Sequence, residues 1–500
     1  MVDNYRNTAN MEIDDRLRRL ESYINDLESS LSLTNEGRNL QLGSFGNYTQ
    51  AWTLNSGDTA WMLASTALVL LMTIPGLAIY YGGMVRVQNV LSTAMQSLSI
   101  TCLITFLWLC FGYSISFAPV DIIRDHAFIG DSSRMWLQGL TIDSAHMLLA
   151  STIPESVYCT FQLTFAIITP ALICGSFADR MKYESMMVFM TLWHVFVYCP
   201  IAHCNWHPEG FLFKKGVLDF AGGNVVHISS GMAGLMSTIV IGNRQGFGVE
   251  RFEPHNILLT FMGASMLWVG WFGFNAGSAG SASPRAGMAM LATQIATATA
   301  ALTWMITEWI VRKQPSVLGM VSGCVAGLVA ITPACGYVDP TGAFVIGFVA
   351  GPWCYGGAQI KHYLGYDDAL DAFGVHATGG ILGGLMTGLF ARAHICGING
   401  AFYGDAHQLI YQIYGVLFAV GYSGGISFLI LKAVDLTMGL RVTAKHEIEG
   451  LDSSVHGESV MGASAHGLDK SLNGNVVLGG STKPHVTVVQ GAGAPGNSLA

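Results

Sequence analysis

Asp219-Phe-Ala-Gly-Gly-Asn-Val-Val-His227-Ile-Ser-Ser-Gly-Met-Ala-Gly-Leu-Met-Ser-Thr-Ile-Val-Ile241 carries one acid at its start, one histidine inside, and no other ionisable group. The run exceeds the ~18 apolar residues that cross a bilayer as a helix, and it lacks the alternation of a barrel strand. At 1.5 Å per residue, His227 lies ~12 Å beyond Asp219, near the membrane midplane. Ionisable groups are costly at that depth, so one placed there points to function.

The pattern recurs on both sides of this stretch. Apolar runs at 59–80, 91–117, 155–177, 185–203, 219–241, 256–278, 287–311, 316–332, 340–359, 369–391 and 405–432 give eleven spans, most of them joined by short turns. The chain therefore reads as an all-α membrane protein with one transmembrane domain over 55–432. Composition agrees: 51% of the 500 residues are hydrophobic and 11% charged, against roughly a quarter charged in a soluble domain. Much of the net charge of −8 sits in the terminal segments, and nothing forms a basic nucleic-acid footprint. The first fifty-odd residues are polar, so the first span itself directs insertion. The 60 glycines, many inside spans, suit helices packed closely in lipid.

Orientation follows from Lys and Arg in short loops. One face collects Arg86, Arg180, Lys182, Arg244, Arg251, Arg312, Lys313, Lys361, Lys432, Arg441 and Lys445; the other collects Arg124, Arg134, Lys214, Lys215, Arg285 and Arg392. The richer face is assigned to the cytoplasm, which with an odd span count puts the N-terminus outside and the C-terminus inside. Asn47-Tyr-Thr49 is then an outward glycosylation sequon, although the five arginines of 1–54 pull the other way. Within 1–54, Ile13, Leu17, Leu20, Ile24, Leu27 and Leu31 form a heptad seam over about 11–33, which suits a lone amphipathic helix or a short parallel coiled coil. Residues 433–465 read as a polar tail, and 466–500, rich in Gly, Ser, Asn and Thr, as disordered.

A second histidine repeats the first. Asp371-Ala-Phe-Gly-Val-His376 shares an acid, Phe, Gly, Val and His with 219–227 and lies five spans later. An odd shift reverses the direction of travel, the mark of an inverted 5+5 repeat with its site at the midplane. On this reading Asp371 is the structural acid of the second repeat. Two neutral imidazoles, each with one donor and one acceptor, can accept from an N–H group and relay a proton. A metal site would need further ligands, and no HExxH or Cys/His cluster supplies them, so neither metal nor cofactor is expected. Of ten cysteines, Cys204, Cys335 and Cys396 fall in or near loops, and no pattern supports a disulfide among them. Phe161, Phe165, Trp206, Trp271 and Phe274 flank the outer approach together with Asp219. Singly each is a packing residue; beside a carboxylate they suggest a site where a cation lies over aromatic faces.

Asp219 to His227, Trp268-Val-Gly-Trp271-Phe-Gly-Phe274-Asn-Ala-Gly-Ser278, Phe161-Gln-Leu-Thr-Phe165-Ala-Ile-Ile-Thr-Pro and Asp371 to His376 resemble the ammonium transporter (Amt/MEP) branch of the Amt/Rh family. The resemblance runs from about 55 to 460 and implies a homotrimer with one pore per subunit, in a plasma membrane, carrying ammonium or its analogue methylammonium. It implies that Trp206, Phe161, Phe165 and Ser278 form an outer cation site backed by Asp219. Phe165 and Phe274 would stack as a gate, with His227 and His376 lining the dry pore below. The segment Glu449-Gly-Leu-Asp452-Ser-Ser454-Val-His456-Gly-Glu458 resembles the family's regulatory tail, which docks on a neighbouring subunit; Ser454 holds a position phosphorylated in some relatives, and Ser459-Val460-Met461 departs from the usual Ala-Tyr. Competing readings are an Rh-like neutral ammonia channel and an ammonium sensor that transports little. An enzyme is disfavoured, since no nucleophile or metal constellation surrounds the histidines.

Overall fold

The structure, a computed structural model, describes residues 53–118, 126–146 and 148–460; the heptad segment, Asn47 and 466–500 lie outside the described residues. Among the described residues the chain is helical, with two isolated bridges and no strand. In chain order the apolar helices are α1 (Ser56–Met84), α2 (Val87–Phe117), α3 (Glu155–Phe177), α4 (Tyr183–Lys214), α5 (Gly223–Ile241), α6 (Ile257–Gly277), α7 (Pro284–Arg312), α8 (Val317–Ile331), α9 (Pro340–Leu364), α10 (Phe373–Phe390) and α11 (His407–Met438). All but α8 are long and apolar enough to cross a membrane. The span expected at 316–332 is the short one: its 15 residues make about 22 Å of helix, against a ~30 Å hydrocarbon core. Turns carry the chain on to residue 337. At the other extreme α11 continues past 432 to Met438.

Local sequence sets the helix starts. The side chains of Asn55, Asn256, Ser283, Ser316 and Asp339 each accept from a backbone N–H of the first turn, and proline follows two of them at the first helical position. Small residues set the spacing of α7, α8 and α9. A Cβ on Gly347 would strike the backbone oxygen of Ala296, and one on Gly323 would lie 2.6 Å from the Cβ of Trp304. With no hydrophobic drive between helices in lipid, such close backbone approach is what holds them together.

A buried ionic collar closes the Lys/Arg-rich face. Arg244 grips Asp367 through two bonds of 2.8 Å, and Arg180 donates to the Asp367 carbonyl at 2.6 Å. Arg86 and Arg244 both lie 3.4 Å from the Asp179 carboxylate. Burial alone would lift the Asp367 carboxyl, but the paired bonds and charge of Arg244 outweigh it and hold the group below its usual range.

The tail, with short helices Ala444–Glu449 and Leu451–Val455, docks on this collar. Asp452 accepts from the N–H groups of Leu91 (3.0 Å) and Ser92 (2.7 Å), capping α2 from a distance in sequence. Asn89 accepts from Leu451 N–H (2.7 Å) and donates to Asp179 (2.6 Å), joining tail to collar. Glu447 pairs with Arg441 at 2.9 Å and accepts from Gln245 N–H at 2.7 Å. These contacts lie within the tail's own chain.

Breaking one partner of the collar strands a buried charge. Arg244→Ala is expected to cost about 3–5 kcal/mol, read as a lowered melting temperature in detergent, and Arg244→Leu with Asp367→Leu should recover most of it. Because the Asp367 carboxyl is depressed in the fold, its contribution is complete above the unfolded value of roughly 4 and fades only as pH falls through the lower folded one.

Candidate conduction site

An outer cavity of about 290 Å³ brings together Phe161, Phe165, Trp206, Asp219 and Ser278, with Gln162, Phe220, Arg285 and Tyr337 also on its wall. Trp206 is anchored by its indole N–H, which donates to the Asp219 carbonyl at 2.8 Å. It meets Phe165 edge-on at 5.6 Å, and Phe161 meets Phe165 at 5.0 Å. Phe165, on the cavity wall, then stacks on Phe274 at 4.3 Å. Ser278 donates its hydroxyl to the Phe274 carbonyl (2.8 Å), leaving its lone pairs free to accept.

Below the stacked phenylalanines lies the histidine pair. His227 and His376 sit with ring centres 5.4 Å apart and nearly parallel, their Nδ1 atoms 3.4 Å from each other. That is long for a hydrogen bond, and it requires one ring to donate and the other to accept. His227 Nε2 is buried with no hydrogen-bond partner. Trp271 does not line the outer cavity. It stacks on His227 at 5.4 Å and is held by a 2.9 Å bond to Thr332, which in turn contacts Asn275. Phe274 bridges the two levels, 4.3 Å from Phe165 and 6.1 Å from His227.

Two carboxylates place the histidines at this depth. Asp219 accepts from four consecutive backbone N–H groups, those of Gly222, Gly223, Asn224 and Val225. It thereby satisfies the start of α5, whose first turn is a π-turn over Gly223–Ile228 containing His227. Four donors fill the acceptor capacity of a carboxylate, which leaves Asp219 no lone pair for direct contact with a ligand.

The matching acid of the second half is Asp368, not Asp371. Asp368 accepts from Ala372 N–H (3.2 Å) and Phe373 N–H (2.8 Å) at the start of α10, and the π-turn Phe373–Ala377 contains His376. The residue separation of 149 between His227 and His376 also relates Asp219 to Asp368, and Gly222 to Asp371. Both of the latter have left-handed backbone, at φ 113° and 59°. Asp371 instead forms a 2.7 Å ion pair with Lys361.

Gly231 and Gly380 keep the same separation. A Cβ on Gly231 would strike Ala377, and one on Gly380 would lie 2.9 Å from Ile228. Only glycine lets the two histidine-bearing turns approach this closely.

Motif matching on Phe-Gly-Val-His hid Asp368; the signal that finds it is the spacing of eight residues from acid to histidine in both halves. Arg285, which the sequence places in a loop of the face poorer in Lys and Arg, stands on the cavity wall. Cys204, Cys335 and Cys396 are buried free thiols, and Ser454 lies in the docked tail, donating its hydroxyl to the Gly450 carbonyl at 2.7 Å.

Fold and site together are those of a polytopic membrane protein with an aromatic-walled cavity and two facing buried histidines. A model of the Ammonium Transporter Family matches residues 60–461. The ammonium transporter of Bacillus subtilis (strain 168) is 45% identical over 408 residues, covering 81% of this chain and 98% of that one. Ammonium transporter 1 of Schizosaccharomyces pombe is 40% identical over 418 residues, covering 81% and 82%. The crystal structure of Saccharomyces cerevisiae Mep2 superposes with a TM-score of 0.73 at 32% identity, over 79% of this chain and 89% of that one. A structure described as a Sensor Amt Protein gives 0.73 at 26%, over 80% and 98%. This chain belongs to the ammonium transporter family.

The corrected register is testable. Asp368→Asn removes acceptor capacity from the buried start of α10 and should cost about 1–3 kcal/mol in detergent melting, with ammonium uptake falling at least roughly tenfold. Asp371→Asn, which keeps a residue tolerant of left-handed backbone and loses one partly exposed ion pair, should cost under about 1 kcal/mol. Equal effects at the two positions would refute the assignment.

Proposed function

We propose that each subunit recruits ammonium at the outer cavity, deprotonates it, and passes ammonia along the histidine-lined pore. The observation that carries this reading is the unbroken series of rings from Trp206 through Phe165 and Phe274 to His227 and His376. Trp206, Phe161 and Phe165 offer aromatic faces, each worth ~0.5–2 kcal/mol to a cation. Ser278 offers a hydroxyl acceptor, and Asp219 a favourable field from behind.

The Phe165–Phe274 stack is the gate. Beyond it the walls are apolar, and an unpaired charge in such surroundings costs far more than a neutral solute does. Ammonium therefore gives up a proton as it passes the gate, to the buried Nε2 of His227, which has no other partner. As Nε2 takes that proton, His227 Nδ1–H passes its own to Nδ1 of His376, whose Nε2–H releases one in turn to re-form ammonium beyond the pore, which makes transport electrogenic.

The assembly is a homotrimer in the plasma membrane, with the Lys/Arg-rich face and tail in the cytoplasm. A sensing role beside transport draws support from the likeness to the Sensor Amt Protein and from a tail that caps α2 directly. Phosphate on Ser454 would add charge beside Asp452 and break the hydroxyl's bond to Gly450, releasing the tail.

Voltage-clamped cells expressing the protein test the main reading. Millimolar ammonium at fixed pH should evoke a saturable inward current that Asp219→Ala abolishes. Isotope flux without current would move the protein to the neutral ammonia channels, and neither signal, in protein shown at the surface, to the sensors. Ser454→Asp should speed tryptic cleavage at Lys445 at least roughly twofold and change the transport rate; a variant indistinguishable from the parent in both would end the phosphorylation hypothesis.

A further inference from the structure

The outer cavity holds two charged side chains, Asp219 and Arg285. Arg285 begins α7, and its Nε donates to the Gly336 carbonyl at 2.9 Å. Its guanidinium carbon lies 5.0 Å from the ring centre of Phe220 and 4.9 Å from that of Tyr337, so it occupies two aromatic faces at once. Those rings meet edge-on at 5.5 Å, and the missing Cβ of Gly336 makes room for Phe220. Arg285 forms no ion pair with any described residue, and it is only partly buried. A permanent cation thus stands, unneutralised by direct contact, on the wall of a cavity read as a receptor for cations.

We propose that Arg285 is a valence filter: its charge offsets the field of Asp219, so that capture depends on aromatic faces and the Ser278 hydroxyl, and divalent cations are turned away. The physics is a matter of exponents. A potential shifts the occupancy of a monovalent cation by some factor and that of a divalent cation by the square of that factor. With Asp219 alone, the cavity would favour calcium or magnesium ions over ammonium. With Arg285 opposing it, the field of Asp219 is reduced, and a divalent cation loses more by that reduction than ammonium does. Selection then falls to cation–π contact, which suits a weakly hydrated ion able to donate hydrogen bonds. The guanidinium is suited to this post because it is held by stacking, without an acid partner that would cancel its charge.

This inference rests on the reading of the cavity as the ammonium receptor, which the current of the unsubstituted protein tests on its own. Given that current, KM for ammonium and the half-inhibitory concentration of barium are measured for the parent, Arg285→Gln, Arg285→Met and Arg285→Lys. Neither constant depends on how much protein reaches the membrane. Removing the charge should lower KM roughly three- to tenfold, as one unit charge at close range allows. Barium inhibition should tighten by the square of that factor, roughly ten- to a hundredfold. Arg285→Lys, which returns the charge without the planar fork, should restore both constants to within about twofold of the parent.

A KM within twofold of the parent in whichever neutral variant is delivered would overturn the proposal. So would equal factors for ammonium and barium, or an Arg285→Lys variant that behaves like Arg285→Gln; either would mark Arg285 as a packing residue.

Discussion

Everything in the middle of this protein depends on two carboxylates that satisfy helix starts where water cannot. A helix beginning inside a membrane leaves backbone N–H groups without partners, and in hydrocarbon each such group costs several kcal/mol. Asp219 answers four of them for α5, and Asp368 answers two for α10. Because the starts are satisfied, the helices can open with a π-turn, and the histidine on each turn is set facing its counterpart. The glycines at 231 and 380 then let the two turns touch. Remove either cap and the histidine pair loses its footing before any question of chemistry arises.

The spans were legible because bilayer thickness imposes a length that few other folds require, and the histidines because the sole other ionisable group in each run is an acid at its start. The register of the second repeat was not legible by the same means. Phe-Gly-Val-His draws the eye to Asp371, but what the geometry repeats is the distance from cap to ring, and Ala369 and Leu370 in the second half bear no likeness to Phe220 and Ala221 in the first. Trp271 was grouped with the outer aromatics because it shares a helix with Phe274; one helical turn is enough to carry it to the level of His227. Arg285 was missed as part of the cavity because a cation at a loop boundary reads as a topology signal, and only tertiary packing puts it over Phe220 and Tyr337.

The tail and the collar illustrate a second use of capping. Asp452 does for α2 what Asp219 does for α5, but it arrives from some 360 residues further along the chain. A cap supplied from so far away can leave without unfolding the helix it serves, since α2 starts at the membrane surface and water can take over. The ionic collar beneath it is different in kind: Arg244 and Asp367 are buried together and neither can depart alone. The Lys/Arg-rich face thus combines a fixed ring with a detachable clasp, joined at Asn89.

The constant separation of the two halves has a consequence for direction. On the proposed path, residues related by that interval would present ammonia with the same turn, the same ring and the same glycine whichever way it travelled. The middle of the pore is thus nearly reversible in its own geometry and cannot distinguish inflow from outflow. Any rectification must reside where the symmetry ends: in the aromatic cavity at one mouth, and in the collar and clasp at the other.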